Sequence, residues 1–186
     1  MKIKTMLLMF SMAMGNMFYA QGYYHGVGLA ANYGIYDGGV AAVPGVLYKA
    51  SYAISENGPS FAVSAYPYLG FNLNSREGGS LGFELPVLGE AYFGDLDDRC
   101  FFAGLGFSYA FIAESGSSTE FADGTTYSSG SIGGPVMGPQ IGLGGQFNLK
   151  DRLLGIRVSY TYGINKLDGG SKPMMIGTGL FLVLGQ

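Results

Sequence analysis

Apolar and polar positions alternate along most of this chain. Between residues 153 and 164, Leu154, Ile156, Val158, Tyr160, Tyr162 and Ile164 occupy every second position. Leu153, Gly155, Arg157, Ser159, Thr161 and Gly163 stand between them. A period of two gathers the first set on one face of an extended strand, whereas a helix would scatter it around its axis. The rhythm recurs in 61–72, where Phe61, Val63, Ala65, Pro67, Leu69 and Phe71 oppose Ala62, Ser64, Tyr66, Tyr68, Gly70 and Asn72. In 81–93 the polar face carries Glu84 and Glu90. Segments 101–112 and 135–149 alternate in the same way, and 25–36, 40–54 and 174–184 do so more weakly. The pattern therefore predicts eight strands. Pro44, Pro67 and Pro86 fall inside them and predict bulges, or ladders broken near the rims.

The connections differ in length. Lys150–Arg152 is very short, and SENGPS (55–60) and GDLDDR (94–99) are compact. The segment 114–134, rich in Ser, Thr and Gly, is the longest and reads as a loop without regular structure. With the N-terminus on the periplasmic side, the short connections lie inside and the longest lies outside, the asymmetry of an outer-membrane barrel.

The first 20 residues change the picture. Lys2 and Lys4 precede the apolar run Met6–Met14, and Ala20 precedes Gln21. This is the layout of a secretory signal peptide cleaved after Ala20. The expected organisation is a signal peptide at 1–20 and one β-barrel domain at 21–186. The apolar run is too short to span a bilayer, and no later segment is apolar enough for a spanning helix.

Composition decides which face of the strands meets the surroundings. Charged residues are 12% of the chain, against about 25% in ordinary soluble domains, and 33 of the 186 residues are glycine. A soluble barrel turns its aliphatic side chains inward and needs a charged exterior that this chain cannot supply. A membrane barrel reverses the faces and pairs every backbone polar group within the wall. Aromatics agree with that reversal. Tyr52, Phe61, Phe93, Phe101 and Phe147 fall near the inner strand ends, and Tyr33, Phe71, Phe83, Tyr109, Phe111, Tyr160 and Tyr162 toward the outer ones. The expected fold class is all-β, an eight-stranded antiparallel transmembrane β-barrel.

On these strands, and on the segment Leu81–Gly94 with its proline, the chain resembles small eight-stranded bacterial outer-membrane barrels of the OmpA/OmpX type. The resemblance implies residence in the cell outer membrane, contact with its lipids, and delivery by barrel-insertion machinery. It implies no specific activity.

The candidate chemistry is sparse. Lys49, Glu84, Glu90 and Arg157 all fall on predicted inward faces, with Glu84 higher than the other three. Buried charge is costly unless paired, so these four are expected to form ion pairs across a filled lumen. A narrow porin-like channel is the alternative role for them. A soluble secreted barrel binding a small apolar ligand is the alternative fold. The loop 114–134, with Phe121 and Tyr127, is the candidate contact surface for an extracellular partner.

An enzyme is not expected. His25, the single histidine, has no Ser nucleophile motif to serve, and Glu84 and Glu90 stand six residues apart on one strand. A net charge of −3 gives nucleic acid no basic footprint. One cysteine, Cys100, excludes an internal disulfide and a Cys-based metal cluster. No metal and no cofactor are expected. The small residues of the Gly104-Leu105-Gly106 run are expected to let the strands coil or to leave lumen space for Tyr66 and Tyr68.

Overall fold

The computed structural model describes residues 22–36, 39–55, 60–72, 80–95, 99–115, 118–120, 126–128, 132–150, 152–166 and 171–185. The expected signal peptide and Phe121 lie outside them.

The strands are β1 (Tyr23–Tyr36), β2 (Gly39–Ser55), β3 (Ser60–Ala65), β4 (Tyr68–Asn72), β5 (Ser80–Gly94) and β6 (Arg99–Ser115), then β7 (Ser118–Glu120), β8 (Thr126–Ser128), β9 (Ile132–Leu149), β10 (Arg152–Tyr162) and β11 (Met174–Gly185). Each barrel strand pairs antiparallel with its neighbours, and β1 pairs with both β2 and β11. The sheet therefore closes on itself and has no edge. β3 and β4 are two halves of one wall strand, since both lie between β2 and β5. Counted so, the ring holds eight strands and carries the transmembrane-barrel topology that the alternation predicts. The described residues contain no helix long and apolar enough to cross a membrane.

The prolines act differently from expectation. Pro44 and Pro86 sit inside continuous strands, and the break falls in mid-wall at Tyr66-Pro67. Pro67 has no N–H to give to β2, and Pro86, opposite Tyr66, has none to give from β5. The wall stays joined there because Tyr48 N–H donates to the Pro67 carbonyl (2.9 Å) and Tyr66 N–H to the Pro86 carbonyl (3.2 Å). The register shifts that do occur sit near strand ends, at His25/Gly26, Ala53/Ser55 and Ile112/Ser115. The 114–134 loop also departs from expectation. β6 and β9 reach into it, and β7 and β8 pair as a short hairpin.

Burial is inverted relative to a soluble barrel. Along β5, Leu81, Phe83, Leu85 and Val87 are exposed, while Glu84, Pro86, Leu88 and Glu90 are buried. The same inversion runs round the ring, with Leu29, Val46, Leu69, Leu105, Ile141, Ile156 and Leu180 all facing out. The result is a continuous apolar belt around a partly polar core.

Candidate functional site

The lumen is the candidate site, and it is layered. At the end where the β1–β2 and β6–β9 connections lie (the loop end), Tyr36, Ala41, Val43, Ile112, Val136 and Met175 form a buried apolar cap. Two hydroxyls tie the cap to the wall: Tyr36 donates to the Gly134 carbonyl, and Tyr68 to that of Val43. Beneath the cap lie the four charged residues singled out above. Lys49 is 2% exposed, Glu84 3%, Glu90 1% and Arg157 6%.

The four do not meet head to head. Among the described residues, each opposite pair is joined through a neutral side chain. Lys49 Nζ donates to Tyr92 Oη (2.9 Å), which in turn donates to Glu90 Oε2 (2.5 Å). Arg157 Nη2 donates to Gln140 Oε1 (2.8 Å), and Gln140 Nε2 donates to Glu84 Oε1 (2.6 Å). The expected direct ion pairs are thus replaced by relays. The pairing by depth is also revised, because Arg157 reaches up to the Glu84 level instead of staying with Lys49 and Glu90. Two cations at one depth would repel, and the long arginine side chain allows the separation.

Each carboxylate is saturated with donors. Glu90 accepts from Ser64 (2.5 Å), Tyr66 (2.6 Å) and Tyr92 (2.5 Å). Glu84 accepts from Asn32 (2.7 Å), Ser108 (2.8 Å) and Gln140 (2.6 Å). Hydrogen bonds to a charged acceptor are worth about 1.5–3 kcal/mol each, enough to offset much of the desolvation of a buried carboxylate. Gln140 also donates to Thr161 (2.8 Å), so its amide is fully used. The sequence reading missed Asn32, Ser64, Tyr92, Ser108, Gln140 and Thr161 as partners. Their signal was present, because each lies on the inward face of its strand.

Aromatic rings join the two relays. The Arg157 guanidinium stacks 4.1 Å from the Tyr66 ring centroid, and Tyr66 holds Glu90. Lys49 Nζ lies 5.0–5.8 Å from the rings of Tyr66, Tyr92, Phe102 and Phe181. A desolvated cation gains about 2 kcal/mol from such faces. Two glycines make the box fit, since a Cβ on Gly155 would overlap Phe181 and one on Gly144 would overlap Phe102. The 104–106 glycines do something other than make room for tyrosines. Gly104 accommodates Glu90, and Gly106 the backbone of Val87 and Leu88.

Elsewhere, Cys100 is buried near the start of β6. His25 stacks on Tyr23 at 5.8 Å near the β1 start. Tyr127 lies in β8, where it pairs with Thr119. No cluster of His, Cys, Asp or Glu able to hold a metal occurs among the described residues.

The closed ring with its outward apolar belt and filled polar interior defines the chain as a small eight-stranded β-barrel of the outer-membrane type. Known structures agree on this fold. The chain is similar to the crystal structure of Neisserial surface protein A (NspA), with 16% identity, a TM-score of 0.51, and coverage of 87% of this chain and 97% of that one. It is similar to Ail, the attachment invasion locus protein of Yersinia pestis, crystallised with the heparin analogue sucrose octasulfate. There the identity is 18% and the TM-score 0.50, with the same coverage of 87% and 97%. No protein-family model matches the chain, and no curated protein does.

Proposed function

We propose that this chain is a resident barrel of a bacterial outer membrane, with a filled lumen and a structural or surface-interaction role. The carrying observation is the belt of large exposed apolar side chains around a closed sheet. Water would not tolerate so continuous a surface, whereas lipid demands it. The belt's partners are the membrane lipids. Residues 1–20 act as the export signal, and insertion machinery assembles the barrel. The rigid wall carries the 114–134 segment outward, where a partner at the cell surface would meet it.

Filling argues against the channel alternative. Tyr66, Leu88, Phe102 and Phe181 are all buried in the lumen, and Tyr66 stands between the two relays. An eight-stranded barrel is just wide enough for side chains to fill. Most interior polar groups bind one another, Arg157 Nε and Ser159 Oγ being unpaired, which supports a scaffold over catalysis.

The test is to separate inner and outer membranes, extract the protein, and compare gel mobility with and without boiling. A heat-dependent shift confined to the outer-membrane fraction is expected. Recovery in the soluble fraction without a shift would overturn the reading. Planar-bilayer recording of the same material should show no steady conductance, and discrete open steps would favour the channel.

A further inference from the structure

The two ends of the lumen are built differently. Among the described residues the loop end is closed by the apolar cap of Tyr36, Val43, Ile112, Val136 and Met175. The opposite end, where β2–β3, β5–β6 and β9–β10 connect, holds a cavity of about 20 Å³. Its lining includes Lys49, Ser51, Ser60, Tyr92, Gln146 and Tyr24. Ser60 is the first residue of β3 and Tyr24 the second of β1, so the cavity sits at the rim. Lys49 and Tyr92, joined by their hydrogen bond, both line the cavity.

The chemistry of Lys49 gives the cavity a purpose. An ammonium carries three donors. One goes to Tyr92 at 2.9 Å, and the aromatic faces offer attraction but no lone pair. A cavity needs roughly 10–15 Å³ and two to four polar partners to hold one water. This one has the room, and its lining includes Lys49, Ser60, Gln146 and Ser51, the last already bonded to Ser64.

We propose that the lower lumen is a one-sided well that binds a water molecule on the Lys49 ammonium and exchanges it through the turn end. The ring layer of Tyr66, Phe102 and Phe181 closes the top of the well. Above that layer the apolar cap blocks entry from the loops. Lys49 is thereby hydrated from one compartment only, which under the proposed orientation is the periplasm. The well rests on the barrel reading for that orientation alone.

X-ray radiolytic footprinting of the folded, detergent-extracted full chain in ¹⁸O-labelled water uses water itself as the probe. Bound water oxidises the side chains that it touches. Tyr92 is expected to incorporate ¹⁸O at least tenfold faster than Tyr66, although both are buried. Met175, a residue of high intrinsic reactivity in the cap, is expected to stay protected. The Lys49→Leu variant, folded by the same gel criterion, should lower Tyr92 labelling severalfold. Protection of Tyr92 equal to that of Tyr66 would overturn the well. Rapid oxidation of Met175 would overturn its one-sidedness. Loss of the unboiled mobility form in the wild-type chain would instead sink the barrel reading, so the two failures are distinguishable.

Discussion

Replacing Glu90 by Ala removes the acceptor of three buried hydroxyls, those of Ser64, Tyr66 and Tyr92. It also strips Lys49 of the counter-charge that reaches it through Tyr92. Breaking a buried ionic contact from one side costs about 3–5 kcal/mol, because the remaining charge has nowhere to go. At a urea slope of about 2 kcal/mol/M this moves the unfolding midpoint by roughly 2 M. Lys49→Met should cost less, about 1–2 kcal/mol. Glu90 keeps all three hydroxyl donors, and the methionine sulfur still packs against the rings. The double variant should then be more stable than the sum of the two losses by about 1–3 kcal/mol. The assay is urea titration of the folded barrel, read as the fraction running at the unboiled mobility. Additivity within about 0.5 kcal/mol would refute the idea that Tyr92 transmits charge compensation between Glu90 and Lys49.

Three further outcomes follow from the same geometry. Arg157→Ala should destabilise the barrel by about 3 kcal/mol, since it leaves Glu84 and Gln140 without their cation. It should produce no steady bilayer conductance, because the Tyr66 and Phe181 rings still fill the lumen. Gly155→Val should cost about 1–3 kcal/mol by driving into the Phe181 ring, and Phe181→Ala in the same chain should recover part of it, read by the same urea titration. Gln140→Leu should be worse than Gln140→Glu in that titration. The leucine strands Arg157, Glu84 and Thr161 together, whereas the glutamate still accepts from Arg157 and meets Glu84 by sharing a proton with it.

Much of the fold is legible in the sequence because a barrel wall enforces a period of two on every strand. Each inward position is crowded and each outward one meets lipid, so the facing of Glu84, Glu90, Lys49 and Arg157 follows from parity alone. What parity does not carry is reach across the lumen. The sequence places Arg157 at the depth of Lys49, yet its long side chain rises to Gln140 and Glu84. The relays through Tyr92 and Gln140 depend on which strands lie opposite one another in a closed ring, a long-range fact with no local signature. Local chemistry also misleads at the prolines. All three weaken the ladder in principle, but only at Tyr66-Pro67 does the strand part, where Pro67 gives no N–H to β2 and Pro86, opposite Tyr66, gives none from β5. The hairpin of β7 and β8 arises in a segment whose Ser, Thr and Gly content gives no alternation to read.

The outward orientation of the apolar belt is the claim on which everything else stands, and an arginine placed at two depths tests it most directly. Leu29 is 69% exposed in the middle of β1, while Phe101 faces outward two residues from the start of β6. In a bilayer, Leu29→Arg should cost about 2–4 kcal/mol and Phe101→Arg about 0–1 kcal/mol. Unfolding of both variants from lipid vesicles measures the difference. A clear excess at Leu29 is the predicted result. Equal and negligible costs at the two positions would mean that the belt faces water, and the membrane reading would fall.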